Sequence, residues 1–217
     1  MSIPSRQQAE EFILEAKILN PGGWIAHSVL VSQAAEAIAS HLPELDPHSA
    51  SILGLLHDIG RREGVTDIRH CIDGYNYLHG LGYEDAARIC ITHIFTIQDL
   101  DAACGNWDCS NAEYNFIQNY LANLLYDDYD RLIQLCDAVA LSTGFCLIEQ
   151  RLVDVAIRRG VNAATVDKWK ATFQLKENFE ARIGKSIYSL LPGVVENTFS
   201  RVLMPVPYFN KDKKERS

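Results

Sequence analysis

The chain has 217 residues, of which 47% are hydrophobic and 22% are charged. These proportions are typical of globular domains and exclude collagen-like, mucin-like and largely disordered chains. The 20 basic and 28 acidic residues give a net charge of −8 at pH 7. This balance argues against general nucleic-acid binding and against an anionic-membrane surface, because both require clustered positive charge. It leaves room for a local basic pocket.

Nothing in the sequence indicates export or membrane insertion. The six cysteines form no C-x-x-C pair with metal-ligand spacing, and the first residues lack a basic start followed by a long apolar run. No stretch approaches the roughly 18 uninterrupted apolar residues that a membrane span requires. We therefore expect a cytoplasmic protein without a membrane partner. The sequence leaves open whether the chain forms a homo-oligomer.

Helical periodicity dominates the chain, and no period-two alternation is bounded by hairpin turns. The sequence therefore predicts an all-α fold without strands. Asp46-Pro47 and the pair Ser110 and Glu113 are typical helix starts, because their side chains can satisfy free backbone amides. The predicted helices span residues 5–19, 24–41, 47–60, 71–81, 84–98, 110–126, 130–143, 149–159, 163–183 and 192–202.

A histidine and an aspartate, His57 and Asp58, follow the apolar run 52–56 directly. Two polar groups beside the interior each need a partner, because burying them unpaired costs free energy. A divalent cation would satisfy both. For this dipeptide alone, the alternative is a core histidine hydrogen-bonded to the aspartate or to the backbone.

Two more residues extend this candidate metal site. His27 shares a helical stripe with Val31 and Ile38, which places it on the buried side of its helix. Asp137 lies in the apolar segment 132–141, where a carboxylate needs a cation or a proton. Their nitrogen and oxygen atoms suit Mn, Fe, Co, Ni, Zn or Mg. Three predicted helices therefore offer four candidate metal ligands, which are His27, His57, Asp58 and Asp137.

The order of these residues resembles that of the HD-domain superfamily of metal-dependent phosphohydrolases. Residues 56–60, Leu-His-Asp-Ile-Gly, are similar to the signature of its HDIG subgroup. The similarity covers roughly residues 24–141 and implies a single helical HD-type domain. With the predicted C-terminal helices in 149–203, we expect one domain over residues 1–203, followed by a polar tail, 204–217.

The resemblance also implies further site residues. In relatives with two metal ions, histidines in the places of His70 and His93 hold the second ion; otherwise the two are surface or capping histidines. Asp58 would bridge both ions and would be the catalytic residue. Arg61 stands where many HDIG members have a lysine that contacts substrate phosphate, and its charge and forked shape preserve that role. One or two divalent metal ions are therefore expected.

The function implied by the resemblance is that of a phosphohydrolase. Such an enzyme cleaves a phosphate ester of a nucleotide or another small phosphorylated metabolite by attack of a metal-activated hydroxide. Two other classes share the ligands. One is a catalytically silent HD domain that binds a metabolite or a protein and regulates; the other is an HD-type di-iron oxygenase.

Overall fold

The computed structural model describes residues 1–199, and over these residues the fold is helical. None of the described helices combines the length and the apolar character needed to cross a bilayer. The helices are α1 (Arg6–Leu19), α2 (Gly23–Ala39), α3 (Pro47–Leu56), α4 (His70–Gly80), α5 (Glu84–Thr92), α6 (Asn111–Ala122), α7 (Asp128–Asp137), α8 (Ile148–Arg159), α9 (Thr165–Ile183) and α10 (Val194–Phe199). Short 3₁₀ turns span Ile59–Glu63, Leu100–Ala102 and Ile187–Leu190.

The all-α prediction is confirmed, and so are the capping residues. Asp46 accepts a hydrogen bond from the backbone amide of Ser49 at 2.9 Å at the start of α3. Ser110 and Glu113 form a capping box at the start of α6, in which each side chain accepts from the other residue's backbone amide. Local hydrogen bonding that the sequence specifies therefore fixes these helix starts.

The predicted helix ends are less accurate. The helices that begin near 47, 84 and 130 stop at Leu56, Thr92 and Asp137, several residues earlier than predicted. The expectation of no strands is wrong in one place, because β1 (Ala140–Leu141) pairs antiparallel with β2 (Gly144–Phe145). Gly144 has a φ of 146°, a conformation that favours glycine and closes this small ribbon. Positions 200–202 of the last predicted helix and the tail 204–217 lie outside the described residues.

The main hydrophobic core forms where α2 packs against α3. Val31 and Ile38 of α2 and Leu56 of α3 are fully buried. The two helices approach closely at Gly54, since a Cβ atom there would lie 3.0 Å from the backbone of α2. His27 and the end of α3 therefore face each other from the same pair of packed helices.

A second close crossing joins the turn Ile59–Glu63 to α4. A Cβ atom on Gly60 would lie 1.9 Å from the carbonyl oxygen of His70 and 2.4 Å from the backbone nitrogen of Gly74. Only glycine fits this space. The crossing holds the residues after α3 against the first turn of α4.

A buried ion pair ties α7 to α5. Asp130 is fully buried, and its carboxylate accepts hydrogen bonds from the guanidinium of Arg88 and from the hydroxyl of Thr92. Gln134, one turn further along α7, donates to the carbonyl of Thr92 at 2.9 Å. These bonds fix α7 relative to the C-terminal half of α5, which His93 directly follows.

The crossing at Gly60 generates a stability prediction. Gly60→Ala should lower the free energy of unfolding by about 3 kcal/mol, because the added methyl group overlaps backbone atoms that cannot rotate away. Urea denaturation with an unchanged m-value measures this effect. Gly80→Ala is the matched control, since nothing lies within 4 Å of a Cβ atom there. Equal stability of the two variants would contradict the close crossing.

Candidate metal centre

The structure brings all six predicted ligands together from separate elements. His27 lies in the first half of α2, and His70 is the first residue of α4. His57 and Asp58 directly follow α3, and His93 directly follows α5. Asp137 is the last residue of α7. The ends of helices thus supply most of the site.

The carboxylate of Asp58 lies at the centre of the cluster. Its Oδ1 atom is 3.1 Å from Nε2 of His70 and 3.6 Å from Nε2 of His93. Its Oδ2 atom is 3.8 Å from Nε2 of His57 and 2.8 Å from Nε of Arg61. The two carboxylate oxygens therefore face different histidines.

His27 and Asp137 close the other side of the cluster. Nε2 of His27 is 3.0 Å from Oδ1 of Asp137, and the His27 ring centroid is 5.2 Å from that of His57. Asp137 is not enclosed in an apolar helix as the sequence suggested. It stands at the helix end with its side chain 23% exposed, and Nη2 of Arg151 binds the same Oδ1 atom at 2.8 Å.

Backbone contacts orient three of the histidine rings. Nδ1 of His57, His70 and His93 each contacts a main-chain carbonyl oxygen. Because a carbonyl only accepts hydrogen bonds, the ring proton lies on Nδ1, and Nε2 presents its lone pair to the centre. The three acceptors are the carbonyls of Gly54, Asp67 and Ile89, respectively.

The electrostatics of the site favour the metal-binding protonation states. Burial lowers the pKa of His57 to about 3. Burial alone would raise the pKa of the Asp58 carboxyl, but the nearby Arg61 guanidinium holds it well below its ordinary value. Arg151 and His27 outweigh burial in the same way and lower the pKa of Asp137. Neutral His57 and ionised carboxylates are the forms that bind cations.

Unsatisfied polar atoms make the cluster a candidate for a bound cation. Nδ1 of His27, Nε2 of His57 and Oδ1 of Asp58 are buried and have no hydrogen-bond partner within the described chain. The ligand atoms of these three residues lie within 4.8 Å of one another, as do those of a second group, His70, Cys71 and His93. Buried polar atoms are normally paired. A cation shared by His27, His57 and Asp58 would therefore account for their three unpaired atoms.

Two neighbours of the predicted ligands were not expected. Burial raises the pKa of the Cys71 thiol well above its ordinary range, so the neutral thiol is a poor metal ligand. Arg151 binds Asp137 from α8, outside the segment that carries the motifs. One sequence pattern could have indicated Arg151. Arg151 and Arg158 are basic, lie seven positions apart and so share one face of α8.

Two cavities meet at the cluster. An open cleft of about 690 Å³ has Asp58, Arg61 and Arg151 in its lining, together with apolar walls that include Val153 and Ile157. A narrower cavity of about 140 Å³ is lined by the same three charged residues and by His70, His93 and Asp137. A ligand in either cavity would reach Asp58.

Comparison with known proteins gives one family match. The family model described as "HD domain" matches residues 24–141, which is more than half of the chain. This segment contains all six predicted ligands. No curated protein and no solved structure matches the chain. The HDIG subgroup therefore stays a prediction.

Metal binding should depend on Asp58. We expect Asp58→Ala to weaken binding of Mn²⁺ at least about tenfold, since it removes the carboxylate that the histidines surround. Competition with a chelator, followed by metal analysis, measures the affinity. His79→Ala is the control, because His79 is 53% exposed and its ring contacts Glu84 and Tyr75 rather than the cluster. If both variants keep the wild-type affinity, the cluster is not a metal site.

Arg151 should act on metal binding through Asp137. Arg151→Met removes the guanidinium that orients the Asp137 carboxylate, and we expect about tenfold weaker Mn²⁺ binding, a typical effect of losing a group that orients a ligand. Arg151→Lys, which keeps the positive charge, should retain part of the affinity. An unchanged affinity in Arg151→Met would show that Asp137 needs no such support.

Proposed function

The chain belongs to the HD domain family, and from that membership we propose that it is a metal-dependent phosphohydrolase. Its substrate is a phosphate ester, either a nucleotide or another small phosphorylated metabolite. The observation that carries this proposal is the convergence of the imidazoles on Asp58 at the point where both cavities meet. A buried cation site open to a cleft is an arrangement suited to hydrolysis.

The proposed ligands are His27, His57, Asp58, His70, His93 and Asp137. Divalent ions bound there would supply a Lewis acid that lowers the pKa of water towards about 7 and offsets phosphoryl charge. The three backbone-bound rings keep their Nε2 atoms aimed at the centre without rearrangement. Asp58 faces His57 through one oxygen and His70 through the other, which supports a bridging role.

Arg61 is the proposed phosphate-binding residue. Its guanidinium lies against Asp58, is 22% exposed, and lines both cavities. Nη2 of Arg61 also lies 3.3 Å from Nε2 of His70. A phosphate beside Asp58 could accept hydrogen bonds from Nη1 and from the second N–H of Nη2, which stabilises the charge on its oxygens. Arg61 would therefore orient the substrate while Asp58 and the histidines hold the ions.

The open cleft suits the organic part of a small substrate. Its walls combine polar groups near Asp58 with the exposed side chains of Val65, Val153 and Ile157. A volume of about 690 Å³ lies within the usual range of about 300–1,000 Å³ for small-molecule sites. The cleft therefore accommodates a metabolite rather than an extended polymer.

Hydrolysis of a panel of phosphomonoesters, nucleotides and phosphodiesters tests the proposal. We expect Mn²⁺-dependent phosphate release from at least one class, and a loss on the order of 10²–10³ in kcat for Asp58→Asn, since both the ion site and its charge are altered. His79→Asn should keep wild-type activity. Chelation should abolish turnover, and added Mn²⁺ should restore it.

The other two function classes predict different results with the same protein. Metal binding without turnover of any ester would favour a regulatory HD domain. Oxygen consumption that depends on an organic substrate and on iron would favour the oxygenase. Either result would overturn the hydrolase proposal.

A further inference from the structure

The narrower cavity beside the metal centre has a wall that comes from outside the family-matched segment. Lys168, Trp169 and Thr172 of α9 contribute to this wall, and His70 and His93 line the same cavity. Lys168 and Thr172 lie four residues apart and share one face of the helix. A cavity of about 140 Å³ has room for about ten waters, because one water needs roughly 10–15 Å³ of such volume. One phosphate-sized group therefore fits.

The lining of this cavity is rich in cations, and four of them are arginines with carboxylate partners. Arg61 pairs with Asp58 and Arg151 with Asp137, both at 2.8 Å. Arg158 and Arg159 also have partners. Nη2 of Arg158 lies 2.7 Å from the carboxylate of Asp154, and Arg159 pairs with Asp67. The arginine charges are thus balanced within the fold.

Lys168 is different from these arginines. Its ammonium group makes no ion pair and no hydrogen bond with the described residues 1–199. It is partly buried, and burial lowers its pKa, although nearby groups including Cys104 and Asp137 oppose this. A cation withdrawn from water without a partner raises the free energy of the fold, and an anion in the cavity would offset that cost.

We propose that Lys168 binds a second anionic group of the substrate, which makes the substrate a small phosphate ester that carries another phosphate or a carboxylate. This inference rests on the proposed hydrolase function, because the first phosphate lies at Asp58 and Arg61. The second group occupies the narrow cavity, and the uncharged remainder lies in the open cleft. Both cavities border Asp58, so one molecule can occupy them together.

Binding of three compounds that are not hydrolysed tests the inference. Methylphosphonate carries one anionic group, methylenebisphosphonate carries two phosphonates, and phosphonoacetate carries a phosphonate and a carboxylate. Isothermal titration calorimetry with the Mn²⁺-loaded chain gives the affinities. We expect one of the two-group compounds to bind at least about tenfold more tightly than methylphosphonate, as one charge-assisted contact would give. Which of the two loses more affinity in Lys168→Met distinguishes phosphate from carboxylate.

Lys168→Met should reduce this preference at least about tenfold, by the contribution of one charge-assisted contact, and leave the affinity for methylphosphonate within about twofold of wild type. Lys168→Arg should restore the preference in part. Lys170→Met is the matched control on the same helix, since Lys170 is 73% exposed and pairs with Asp167. Metal chelation by the bisphosphonate is common to all variants and cancels in the comparison. Thermal melting establishes that each variant folds.

A preference of the same size in Lys168→Met as in the wild-type chain, or its absence in the wild-type chain, would overturn the inference. The proposed function fails separately, because it depends on turnover. A Lys168-dependent preference without ester hydrolysis would support the anion subsite and refute the hydrolase. Hydrolysis with no effect of Lys168→Met on these affinities or on KM would refute the subsite alone.

Discussion

Asp58 is an ionised carboxylate in the interior of the protein, and the surrounding residues are arranged to keep it ionised there. It is 5% exposed, and its Oδ1 atom has no hydrogen-bond partner in the described chain. Arg61 supplies one positive charge. The neighbouring histidine rings accept rather than donate at their inward nitrogens, so they leave the charge of Asp58 largely uncompensated. A divalent cation would compensate the remaining negative charge. The burial of the Asp58 carboxylate is therefore the physical reason for proposing a metal site here.

The fold holds this arrangement through contacts that lie beside the cluster. The crossing at Gly60 and Gly74 presses the residues after α3 against α4, and the Arg88–Asp130 pair ties α7 to α5. Each contact fixes two ligand-bearing elements relative to each other. Such support matters because a site of this kind tolerates only small displacements of its groups. Helices α8 and α9 then add Arg151 and Lys168 from outside the matched segment.

The sequence alone predicted the helical class, the helix starts and four of the clustered residues, whereas His70 and His93 followed from the family resemblance. His27 could be placed because it shares a stripe with buried residues, and Asp46 and Ser110 because capping is local. The ends of α3, α5 and α7 could not be placed, since apolar residues continue past Leu56, Thr92 and Asp137. Neither Arg151 nor Lys168 was found, because only tertiary packing brings their helices to the cluster.

The protonation states at the centre have a consequence for metal uptake. Metal uptake by proteins normally releases protons, since the ligands must first be deprotonated. Here burial has already removed the proton from Nε2 of His57, and neighbouring cations have done the same for Asp58 and Asp137. A divalent ion could therefore bind these three groups near neutral pH with little proton release. Their contribution to metal affinity would then change little with pH in that range.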